Sequence, residues 1–146
     1  MPQDVDPHGY LAGVHPDLAK VIRAAAQTPT PFVVVYGLRT PGAEAQAVAS
    51  GHSKTLHSRH LEQLAENNLA CAVDVCALGA GGNLDWTVSD AKGGAFARIA
   101  SQIEHAAALL GVPIQWGGAD VGAWTPGVVS AFHDWGHFQL PWAEYP

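Results

Sequence analysis

Two histidines and two aspartates carry the clearest chemistry in this sequence. The pentad Asp134-Trp135-Gly136-His137-Phe138 stands near its end, Ser58-Arg59-His60 stands upstream, and a lone acid, Asp74, interrupts the apolar run Ala72-Val73-Asp74-Val75. Two imidazoles and one carboxylate, His60, His137 and Asp74, can hold a Zn²⁺ ion and leave its fourth position open for water. Asp134, three residues before His137, is placed to manage that water's protons as a general base. The plainer alternatives stay open. Each of His60, Asp74 and His137 could be a hydrogen-bonded polar residue in a cleft, and Asp134 could cap the backbone of a turn. His133 either supports the base, touches substrate or lies on the surface.

Such residues need a frame, and the local patterning supplies one. Residues 71–78 are a strand on composition, and the acid within them is the anomaly. An unpaired carboxylate buried among Val, Ala and Cys costs several kcal/mol, so a cation or strong donors should face it. Residues 32–36 form a β-branched and aromatic run bounded by Pro31 and Gly37, which reads as a second strand. Leu18, Val21, Ile22 and Ala25 recur at helical spacing, with Pro16 suited to a first turn, which predicts a helix over 16–26. Thr40 and Pro41 suit the start of another helix, running to about Ser50. Residues 51–59 are polar and irregular and read as loop.

The strongest helix is predicted over 90–110, with Phe96, Ile99, Ile103, Ala107 and Leu110 as its buried stripe and Gly111 and Pro113 as its stop. Residues 79–83 read as a turn and 84–87 as the start of a return strand. Short strands follow at 114–116 and about 137–140, the second stopped by Pro141, with a loop at 120–127 between them. The expectation is an α+β fold with helices against a small, mainly antiparallel sheet.

Composition narrows the partners. The chain has 146 residues, 48% hydrophobic and 14% charged, which suits one globular domain, 1–146, with a proper core. Thirteen acids against seven bases give a formal charge of −6. That argues against nucleic acid as a partner, and Lys54 and Arg59 are too few for a basic patch. No stretch approaches the length of a membrane span, and the acidic start lacks the apolar core of a signal peptide. The expectation is therefore cytoplasmic synthesis, no membrane partner and a monomer. The glycine clusters at 79–82 and 117–118 lack the Lys-Ser/Thr and the spacing of nucleotide loops. Cys71 and Cys76 are five apart, which in a strand puts them on opposite faces, so they should not bridge. Cys76 shares a face with Asp74.

The segments carrying these residues resemble the zinc D-Ala-D-Ala carboxypeptidase and L-alanyl-D-glutamate endopeptidase family, above all the single-domain peptidases that phages use as endolysins. That family's pattern is Ser-x-His, a short gap, Ala-x-Asp, and an acid-x-x-His near the C-terminus. Here it falls on Ser58-Arg59-His60, Ala72-Val73-Asp74 and Asp134-Trp135-Gly136-His137. The likeness extends to Val14-His15-Pro16-Asp17-Leu18, Tyr36-Gly37-Leu38-Arg39-Thr40, Ser53-Lys54-Thr55 and Pro113-Ile114-Gln115-Trp116-Gly117-Gly118. In one respect the chain departs from the pattern. The family gap from the first His to the Asp is about seven positions, whereas fourteen separate His60 from Asp74. The excess, around 62–69, is polar and reads as a surface insertion, cheap if its ends stay close.

The resemblance implies the fold shared by hedgehog-type proteins and D-Ala-D-Ala peptidases, with the metal on the open face of the sheet. It implies Zn²⁺ on His60, Asp74 and His137, Asp134 as base, and the peptide stem of bacterial peptidoglycan as substrate. It also implies that Arg39 anchors substrate or steadies the tetrahedral intermediate, although a surface ion pair with Glu44 suits it as well. Ser58 can donate a hydrogen bond to substrate or simply shape the loop, Gln46 is a weaker candidate of the same kind, and Trp116 and Trp135 can wall a cleft or sit in the core. Within the family an endolysin-like L-alanyl-D-glutamate endopeptidase is favoured over a D-Ala-D-Ala carboxypeptidase. Such an enzyme would reach the wall through a holin or a phage particle. A metal-containing wall-binding module without catalysis is the other class of reading, against which Asp134 argues, since binding alone needs no base.

Overall fold

A central antiparallel strand, Ala72–Leu78, organises the molecule. The computed structural model describes residues 4–26, 29–38, 69–86, 94–117, 135–141 and 144–145. In chain order these form helix α1 (Pro16–Ala25), strand β1 (Phe32–Tyr36), strand β2 (Ala72–Leu78), strand β3 (Leu84–Asp85), helix α2 (Ala95–Leu110), strand β4 (Gln115–Trp116) and strand β5 (His137–Gln139). Single turns of 3-10 helix precede α1 and β3. The sheet runs in the order β1-β2-β5-β4, with β3 also pairing β2, and all four pairings are antiparallel. This is the α+β architecture that the sequence suggests.

Period-two alternation divides the sheet cleanly. Val73, Val75 and Ala77 of β2, Phe32 and Val34 of β1, and Phe138 and Leu140 at β5 all enter one apolar cluster. Leu18, Val21, Ile22 and Ala25 of α1 and Ile99, Ile103 and Ala107 of α2 complete it. Fully burying a Leu, Ile or Phe is worth about 1.5–3 kcal/mol, and Phe96, Phe138, Leu18 and Ile99 are among the largest such side chains. The helices therefore clamp one face of the sheet. Asp74, Cys76, His137 and Gln139 alternate to the other.

Element ends follow local chemistry. His15 caps α1, its Nδ1 accepting from the Asp17 amide at 3.1 Å, with Pro16 in the first turn. Tyr145 donates to Asp17 at 2.7 Å and sets its ring edge-on to His15, tying the C-terminus to this cap. Helix α2 ends at Gly111, in the left-handed region, as expected. Its start differs from the expectation: Gly94 has φ 59, so the helix begins at Ala95 and cannot run unbroken from Asp90. A positive φ is open to glycine and breaks a right-handed helix. The expected helix at 41–50, the loops at 51–59 and 120–127, and nearly all of the insertion at 62–69 lie outside the described residues.

Candidate metal centre

The site is assembled by pairing across the sheet. Asp74 of β2 and His137 of β5 are direct Cα partners in the β2–β5 ladder. On β4, Gln115 partners Gln139, two residues on from His137 and on the same face. Tyr36, the last residue of β1, partners Asp74 from the other side, just past an irregularity in the β1–β2 register.

One close approach makes the key pairing possible. Gly136 is buried, and a Cβ there would collide with the Val75 carbonyl. In its absence the Val75 amide donates to Gly136 O at 2.9 Å. The His137 carbonyl then accepts from Gly117 N at 2.8 Å, and Leu140 N donates to Cys71 O at 2.9 Å. Trp116 adds a side-chain strut, its indole N–H donating to the Trp135 carbonyl at 2.8 Å.

Within this frame Asp74 Oδ1 stands 3.3 Å from His137 Nδ1. The imidazole is buried, while the Asp74 side chain keeps 22% of its exposure. The far ring nitrogen, Nε2, lies 2.7 Å from Gln139 Oε1, and the Gln139 amide donates to Gln115 Oε1 at 3.3 Å. A carbonyl oxygen can only accept, so Nε2 carries the ring proton. In the neutral ring Nδ1 is then a lone pair directed at a carboxylate, an arrangement that a proton or a metal ion between them would satisfy.

The donor set fits zinc. Two ligand atoms each about 2.0–2.1 Å from a tetrahedral Zn²⁺ stand about 3.3–3.4 Å apart, which is the separation found. A ligating imidazole also typically gives its second N–H to a carbonyl or carboxylate, as His137 does to Gln139. Among the described residues no group of three metal-compatible side chains forms. The third expected ligand, His60, lies outside them, as do Arg39, Gln46, Ser58, His133 and Asp134.

Other expected participants fall elsewhere. Trp116 partners Phe138, stacks on its ring at 14° and packs against the apolar cluster, on the opposite face from Asp74 and His137. Cys71 and Cys76 are both thiols, unbridged and buried, as expected. Cys71 belongs to the apolar cluster, whereas Cys76 shares the Asp74 face and donates to Asp85 O at 3.5 Å. Burial pushes the Cys76 thiol up to about 11; a backbone hydrogen bond with Asp85 lowers it and the Asp85 charge raises it further. In the metal-free protein it is therefore a thiol near neutral pH. Asp6 is a buried acid elsewhere, but backbone amides of Tyr10 and Leu11 satisfy it at 2.8 and 2.9 Å.

Gln139 and Gln115 were not singled out by the sequence. Their one signal was periodicity: Gln139 follows His137 by two in an otherwise apolar strand, which puts both on one face.

Comparison with known proteins adds an independent line. The family model for phage L-alanyl-D-glutamate peptidase matches residues 6–140. The crystal structure of the Serratia marcescens L-Ala D-Glu endopeptidase ChiX superimposes with a TM-score of 0.72 at 37% sequence identity, covering 94% of this chain and 87% of that one. No curated protein matches the chain.

Proposed function

Since the chain belongs to the phage L-alanyl-D-glutamate peptidase family, we propose that it is a zinc-dependent endopeptidase that hydrolyses the L-alanyl-D-glutamate bond in the peptide stem of bacterial peptidoglycan. The observation that carries the zinc part is the convergence of Asp74 Oδ1 and His137 Nδ1 at 3.3 Å, with the far side of the ring anchored.

His60, Asp74 and His137 would hold the ion. When bound, zinc supplies Lewis acidity toward an amide carbonyl and lowers the pKa of water toward about 7. The chain's own groups do the rest. Asp134 accepts the proton of the attacking water and returns it to the leaving amine, the ordinary exchange of a general base and acid. The Arg39 guanidinium, a fixed fork of donors, holds a stem carboxylate or the oxygen on which charge develops. Ser58 and Gln46 donate hydrogen bonds to the stem. Trp116 serves through the Trp135 carbonyl, which it holds just ahead of His137.

Incubating the zinc-loaded protein with purified peptidoglycan tests this reading. New amino termini on D-glutamate, abolished by a chelator and restored by zinc, are expected. Release of free D-alanine instead would assign carboxypeptidase activity, and binding to the wall without new amines would assign a non-catalytic module.

A further inference from the structure

Gln139 is only 2% exposed, and it stands behind His137 rather than among the proposed ligands. A primary amide at that depth must have its hydrogen bonds met inside the protein. Its contacts are directional. The Gln139 Nε2 donates to Gln115 Oε1 at 3.3 Å, which turns Oε1 toward His137 Nε2 at 2.7 Å. The β4–β5 register sets Gln115 opposite Gln139, and the β2–β5 register sets His137 opposite Asp74. Three strands thus present one row of side chains: Gln115, Gln139, His137, Asp74.

We propose that Gln139, oriented by Gln115, is the positioning residue that holds His137 in its Nε2–H tautomer and so keeps the Nδ1 lone pair directed at Asp74. The carbonyl oxygen of Gln139 excludes the other neutral tautomer, because that ring would set an unprotonated Nε2 against an acceptor at 2.7 Å. It also fixes the ring's rotation, since the hydrogen bond and the strand backbone hold its two ends. The consequence for metal binding rests on the zinc reading given above; the tautomer does not.

Two measurements test it. In the metal-free protein at about pH 8.5, above the usual imidazole range, ¹⁵N NMR of the His137 ring should show a protonated Nε2 and a bare Nδ1. Zinc affinity, measured by competition with a chromophoric chelator, should fall about 10–100-fold in Gln139→Leu, as is typical when such a partner is lost. It should recover most of that loss in Gln139→Glu, which keeps an acceptor toward the ring once Gln115 turns its amide N–H to the other carboxylate oxygen. A wild-type ring protonated at Nδ1, unchanged zinc affinity in Gln139→Leu, or equal loss in the Leu and Glu variants would each overturn the assignment. If Gln139→Leu does not fold, the ring spectrum of the wild type still decides. A wild-type protein that takes up no zinc overturns the proposed cofactor, and the same spectrum then judges Gln139 alone.

Discussion

Two hydrogen-bond acceptors 3.3 Å apart repel unless a proton or a metal ion lies between them, and the Asp74–His137 pair stands that way when the neutral ring carries its proton on Nε2 and donates it to Gln139. The role of Asp134 can be separated from this pair by one substitution. Asp134→Asn keeps the size and much of the hydrogen bonding of the carboxylate but cannot accept a proton near neutral pH. Hydrolysis should fall about 10²–10⁴-fold, with zinc content at the wild-type level. Undiminished turnover by the metal-loaded variant would remove Asp134 from the mechanism and point to His133. The thiols give a second residue-scale expectation. Cys71 and Cys76 are both 0% exposed, so neither should react with a thiol reagent until the protein is denatured; rapid labelling of the native chain would contradict the described packing. At this scale the sequence was legible where a residue type clashed with its surroundings. Asp74 in an apolar strand announced itself. Gln139 did not, because a lone glutamine two residues before a proline looks like a surface residue until the partner strand is known. Trp116 was equally opaque: a two-residue strand gives no alternation from which to choose its face.

Strands that meet in space here come from distant stretches of sequence. Ala72 to Asp74 pairs with residues 137–139, and that contact, not either strand alone, creates the site. Local patterning found β1, β2, α1 and α2 because each spans at least five residues of consistent pattern. It could not find the order β1-β2-β5-β4, since pairing partners leave no local mark. It also placed the start of α2 too early, because the apolar stripe says where a helix is buried and not where a glycine breaks it. Gly136 is the element-scale test of the pairing. In Gly136→Ala the new methyl meets the Val75 carbonyl, a backbone atom that cannot step aside. The β2–β5 ladder must shift, and Asp74 and His137 should separate. Loss of zinc binding together with a lower melting temperature is expected, whereas wild-type affinity would show that the ladder does not position the ligands. The stretch 62–69 is predicted to behave oppositely. Shortening it by about seven residues, toward the family's gap, should leave a folded, zinc-binding protein, and collapse of metal affinity would show that it shapes the site.

At the scale of the whole molecule, the site links on one face of the sheet the strands that the apolar cluster joins on the other. The helices clamp the apolar face of the sheet, while the opposite face links β2, β5 and β4 through Asp74, His137, Gln139 and Gln115. An ion bound to the folded state and not to the unfolded chain stabilises folding by RT ln(1 + [Zn]/Kd), about 2.7 kcal/mol at a hundredfold excess over Kd. For a domain near 150 residues each kcal/mol moves the melting temperature by about 2–4 °C, so saturating zinc should raise it by roughly 5–11 °C. The shift assigns the ligands without any reference to activity. It should vanish in Asp74→Ala and in His137→Ala, and in His60→Ala if that residue supplies the third bond. It should persist in Asp134→Asn, which leaves the ligands untouched. A full zinc-induced shift in His137→Ala would place the ion elsewhere in the fold, and with it the chemistry now assigned to the face shared by Asp74 and His137.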